Sequence, residues 1–166
     1  MVHMIRKVIF TIAILCLFSS FASAVNAVDN IAYEQINPSN SYSYNLKRLK
    51  EKISLVFFYR TPVKKVNFLK TLFSRRIAEL KYTVDNKDIV NIQTASQRYS
   101  TTAGQMTEIV TKNNLNSEKE YLKNLFSEQV SLIEKWQAVY KYDSAEWLFL
   151  KWDIDYLKLY SEKLSS

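Results

Sequence analysis

Cysteine and histidine each occur once in this chain, at Cys16 and His3, and both lie in its first two dozen residues. Glycine also occurs once, at Gly104, and proline twice, at Pro38 and Pro62. A single glycine cannot build a glycine-rich phosphate loop, which removes the nucleotide-binding folds that depend on one. Sheet proteins need many turn residues, so this scarcity points to long helices with few, tight connections.

The N-terminus sets the fate of the two rare side chains. A basic head with Arg6 and Lys7 leads into an apolar run from Val8 to Phe18, then into Ser19-Ser20-Phe21-Ala22-Ser23-Ala24. Small residues stand at the two positions a signal peptidase inspects, which is the layout of a secretory signal peptide over residues 1–24. Cleavage is expected after Ala24, with Ala27 as the reserve site and an uncleaved membrane anchor as the lesser alternative. The apolar run is short of the roughly 20 residues that span a bilayer. Leu15 before Cys16 stands where a lipoprotein needs a small residue, so no lipid anchor is expected.

Export with cleavage would leave 142 residues, from Val25 onward, without thiol or imidazole. Zinc and copper sites built on those ligands, Cys–His chemistry and Ser–His–Asp chemistry all need side chains such a chain lacks. The expectation is therefore a non-enzymatic protein with no cofactor, held together by its apolar core.

Residues 25–41 read as a polar lead-in, with Ser39, Asn40 or Ser41 as the cap of a first helix. Residues 42–166 form one helical domain, and the predicted fold is all-α, a bundle of four or five helices. The first helix, about Tyr42 to Tyr59, carries Tyr42, Leu46, Leu49, Ile53 and Val56 on one side. Tyr44, Arg48, Glu51, Leu55 and Phe58 lie on the other, and a helix apolar on two sides is expected to pack on both. Thr61-Pro62 starts a second helix whose stripe is Val66, Leu69, Phe73, Arg76 and Leu80. A third helix, about Asp88 to Thr111, buries Ile92, Tyr99, Ala103, Met106 and Val110, with Gly104 either weakening it or admitting a close neighbour. Ser117-Glu118-Lys119-Glu120 reads as a capping box for the C-terminal helices over residues 117–164. Leu122, Phe126, Ile133, Trp136 and Tyr140 make the next stripe, widened by Leu125, Leu132 and Val139. Asp143 or Ser144 caps a last helix, unless it continues the one before.

Charge is unevenly spread. Ser43 to Tyr82 holds eleven basic residues and two acidic ones, Glu51 and Glu79, a local balance of +9. Within that stretch, Tyr44-Asn45-Leu46-Lys47-Arg48-Leu49-Lys50-Glu51, then Pro62, then Arg76-Ile77-Ala78-Glu79-Leu80, resembles a bacterial family catalogued as a domain of unknown function (number 5667). The resemblance covers roughly residues 39–110, with Tyr99 in the place of the family's later tyrosine. Asn45 stands where members often carry proline, and Ile77 where they carry leucine. It implies an exported or membrane-anchored helical protein and no particular reaction.

Three groups of residues stand out. Arg76 in mid-stripe needs a partner, and Glu51 is expected to supply it across the helix pair, with Arg48 and Glu79 nearby. This ion pair is expected to fix helix register, with a charged-ligand site as the alternative. Lys47, Lys50, Lys64, Lys65 and Arg75 form a basic surface suited to weak contact with anionic membrane or wall polymers; export and the lack of a binding motif disfavour nucleic acid. On the last helix, Phe149, Trp152, Tyr156 and Tyr160 form a second stripe. Core packing on both sides is the expectation, and a partner face for an exported chaperone or adaptor the alternative. Asp153 and Asp155 sit about 200° apart on a helix and cannot converge as paired acids. The functional expectation is a binding or structural module of the bacterial cell envelope, its partner a protein or other envelope component.

Overall fold

The computed structural model describes residues 42–57 and 59–166. The expected signal segment, its expected cleavage sites, the lead-in and the expected cap at Ser39–Ser41 lie outside the described residues. All regular structure within them is helical: α1 (Tyr42–Phe57), α2 (Pro62–Asp85), α3 (Ile89–Lys112), α4 (Asn116–Gln137) and α5 (Ala145–Ser165).

The boundaries follow local chemistry. Thr61 caps α2 by accepting the Lys64 N–H on its Oγ1, and Pro62 occupies the first turn, where its missing N–H costs nothing. Asp88 caps α3 through the Asn91 N–H. α4 departs from expectation: it begins at Asn116 with Leu115 in the cap position, and no side chain caps it. Leu115 packs partly into the core, so apolar burial sets this helix start. Glu120, expected to close a capping box with Ser117, is exposed and lies 3.6 Å from Lys123, while Glu118 pairs with Lys70 of α2 at 2.5 Å. α4 and α5 are separate helices. Asp143 adopts a left-handed backbone (φ 63°), and Ser144 caps α5 through the Trp147 N–H.

The core sits among α2 to α5. Phe73 of α2 stacks on Tyr99 of α3 with ring centroids 4.8 Å apart, and meets Phe126 of α4 edge-on at 6.0 Å. Every residue of the expected α3 stripe is fully buried, as are Val66, Leu69 and Leu80 of α2 and Leu122, Phe126 and Ile133 of α4. Val139 is exposed and Tyr140 half-buried, because α4 stops at Gln137 before reaching them. α3 and α5 run in the same direction: the Ser96 hydroxyl donates to the Phe149 carbonyl near one end, and Gly104 meets Tyr160 further along. A Cβ at position 104 would stand 2.8 Å from the Tyr160 hydroxyl oxygen. Gly104 therefore admits a close neighbour. Among the described residues, no helix is long and apolar enough to cross a membrane.

α1 differs from the two-sided packing expected of it. Leu46, Leu49 and Ile53 are 50%, 55% and 40% exposed, while Glu51 and Ser54 are buried and Arg48 and Leu55 half-buried. The helix turns its charged side inward because Glu51 finds Arg76 there, and three aliphatic side chains are left in solvent.

Candidate functional site

Arg76 occupies the middle of an apolar stripe, and its guanidinium is buried. Its Nη2 donates to Glu51 Oε2 and its Nη1 to Glu79 Oε1, each at 2.6 Å. These are short charge-assisted bonds that use both arms of the planar fork. Arg75 donates from Nη1 to the second oxygen of Glu51 at 3.0 Å. Arg98 of α3 brings its Nη1 to 4.0 Å from Glu79 Oε2, an ion pair beyond hydrogen-bond reach. The expected bridge between the helices is thus present, with Glu79 within it.

Two assignments change. Arg75, expected to contact polyanions, is tied to Glu51, because the adjacent arginines each reach one oxygen of that carboxylate. Arg98 joins the network without having been singled out. Its signal in the sequence was the polar run it shares with Thr94, Gln97, Thr101 and Thr102 on one side of α3. Arg48 is half-buried and lines the space beside the network.

That space is a cavity of about 360 Å³ between α1, α2 and α3. Arg48, Lys52, Arg76 and Arg98 contribute cations to its wall, and Leu55 and Leu72 an apolar floor. α3 adds neutral hydroxyls and amides, among them Thr101 and Gln105.

The remaining basic residues divide in two. Lys70 and Lys81 pair with Glu118 and Asp85. Lys47, Lys50, Lys52 and Lys64 are exposed and Lys65 half-buried, so the outward positive charge gathers on α1 and the first turn of α2. Along α1, Lys47 and Lys50 flank the exposed Leu46–Leu49–Ile53 stripe on one side and Lys52 on the other, from their helical spacing.

The aromatic stripe of α5 is split, against the expectation of core on both sides. Phe149 and Tyr160 are half-buried against the core, while Trp152 and Tyr156 are 51% and 46% exposed. Trp152 and Tyr156 lie on the helix side turned away from Leu150, Ile154 and Leu157, which fill the core.

Asp153 belongs to that buried side. It stands between Leu150 and Leu157 in the apolar stripe and is almost fully enclosed. Burial pushes its carboxyl well above the usual carboxylate range, and the nearby Ser96 and Ser100 hydroxyls offset part of this. Neither hydroxyl reaches the carboxylate with hydrogen-bond geometry. Asp155 is exposed and pairs with Lys151, so the two acids do not converge. Tyr160 is also raised, by its burial first and then by Tyr156 and Asp153.

No curated protein and no solved structure matches the chain. The pattern of one family matches residues 36–135, reaching past the expected 39–110 to take in most of α4. Phe126 and Glu118 of α4 both reach α2. The match spans more than half of the chain, which therefore belongs to the family described as a domain of unknown function (DUF5667).

Proposed function

We propose that this protein is an exported, non-enzymatic module of the cell envelope that rests on anionic membrane through the outward face of α1. The supporting observation is the exposure of Leu46, Leu49 and Ile53 in one stripe between flanking lysines. An amphipathic helix with aliphatic side chains below and lysines at its flanks lies in the plane of a bilayer interface, its lysine stems extending toward the headgroups. Each lysine near an anionic surface contributes about 1 kcal/mol. The export signal read over residues 1–24 would deliver the chain to a compartment with such surfaces.

Flotation with phosphatidylcholine vesicles, with and without phosphatidylglycerol, tests this reading. Binding is expected only with the anionic lipid and falls with added salt. Substituting Lys47→Gln and Lys50→Gln together weakens it about thirtyfold, and Leu46→Ser with Leu49→Ser abolishes it. Absence of binding at low salt sinks the reading. A second reading, a chaperone or adaptor acting through Trp152 and Tyr156, is supported by their exposure. It requires suppression of a client's aggregation that is lost when both become alanine.

A further inference from the structure

The outer side of α5 carries an apolar stripe and a row of charges next to each other. Trp152, Tyr156 and Leu159 are exposed at helical spacing on the side away from the core. Both exposed rings rest on half-buried ones. Phe149 meets Trp152 edge-on with centroids 5.7 Å apart, and Tyr160 stacks on Tyr156 at 6.0 Å. Tyr160 in turn sits against Gly104 of α3. The aromatic side chains are thus braced from behind and lose little freedom when covered. Beside the stripe, Lys151, Asp155, Lys158 and Glu162 follow at separations of four, three and four residues, which aligns them along the helix. Lys151 bonds Asp155 at 2.6 Å and Lys158 approaches Glu134 of α4 at 3.7 Å, while Asp155, Lys158 and Glu162 stay exposed.

The signs in this row alternate. Read backwards, the row has the same separations and the opposite sign at every position. A second α5 laid antiparallel therefore sets Lys151 opposite Glu162 and Asp155 opposite Lys158, and a two-fold axis repeats both pairs. The same arrangement brings Trp152 to Leu159 of the other copy and Tyr156 to its own counterpart. A parallel copy would set each charge against its like. We propose that the outer face of α5 joins two copies of this chain, antiparallel and about a two-fold axis beside Tyr156. Self-complementarity of one patch is what such an axis requires. The rings supply the area to be covered, and the exposed charges, which add little affinity, select the partner and its direction. The exposed stripe of α1 does not suit a second copy, because lysines flank it on both sides and would face lysines. One helix from each copy makes a small interface, so association is weak, roughly in the micromolar range.

Sedimentation velocity of the full chain over a micromolar concentration series tests this surface. The mass is expected to rise from one chain to two. Trp152→Ala with Tyr156→Ala leaves a single chain at every concentration. Asp155→Lys and Lys158→Asp, made in separate proteins, each weaken association about tenfold or more, because the two-fold axis applies every reversal twice. An equimolar mixture of these two proteins recovers the dimer, since each reversed charge then meets its opposite on the other copy. Misfolding of either variant would not be repaired by mixing, so recovery reads the contact itself. A single chain at all concentrations in the parent protein overturns the proposal. So does association that ignores the α5 substitutions, as pairing through the N-terminal apolar run would, and so does a mixture no better than its components. A monomer that suppresses a client's aggregation through Trp152 and Tyr156 assigns the face to other proteins instead. Vesicle binding through Leu46 and Leu49 uses a different helix and stands or falls separately.

Discussion

The helices α2 to α5 and the helix α1 are attached by different physics. The four later helices share a closed apolar core in which Phe73, Tyr99 and Phe126 are fully buried, and their charges mostly stay outside. α1 contributes no fully buried aliphatic side chain among the described residues. It is fastened through Glu51, with Leu55 and Ser54 beside it. Apolar burial is nondirectional and scales with area, whereas an ion pair depends on a few atoms in place. One region therefore tolerates small shifts, and the other is attached or released as a unit.

The largest test is on the core. Phe126→Ala should cost about 3–5 kcal/mol, read as a lower urea midpoint for the whole domain. Because Phe126 touches rings of α2 and α5, loss of signal should be simultaneous in all four core helices. A change confined to α4 would show that the core is not shared.

Glu51→Gln tests the other attachment. It keeps the shape but removes the charge that Arg75 and Arg76 hold, and costs about 1.5–3 kcal/mol on the scale of hydrogen bonds between charged groups. Hydrogen exchange should rise along α1 while α3 and α5 keep their protection. If protection falls everywhere equally, α1 is part of the cooperative core and the contrast fails.

Much of this could be read before the fold was seen. Thr61-Pro62 marked the start of α2 through a cap and a pre-set φ, and Arg76 announced a partner by standing among Leu69, Phe73 and Leu80. The orientation of α1 was not legible, because periodicity finds two stripes without saying which one a neighbour covers. A charge pair decided it, and Arg98, from a third helix, could not be placed without the packing. Asp153 was legible in principle, three residues after Leu150 and four before Leu157. Measuring it only against Asp155 asked whether two acids meet, and missed that one acid sits in the core.

That residue supplies the smallest and most specific test, for it puts a buried carboxyl between core leucines. The carboxyl of Asp153 is raised well above its ordinary value by burial. Over the pH range from the ordinary carboxylate value up to the raised one, the native state binds more protons than the unfolded chain. Stability contributed by this group therefore falls as pH rises through that window, then stays level. Asp153→Asn removes the titration, so its stability relative to the parent should climb across the same window. The gain is limited, because the asparagine amide is also buried and must find the Ser96 and Ser100 hydroxyls. Every other side chain is common to both proteins, so the difference between two urea series over pH isolates Asp153. A difference that is flat with pH would mean the carboxyl is hydrated or paired in solution, and the core would then obey the same pairing rule as the α1 attachment.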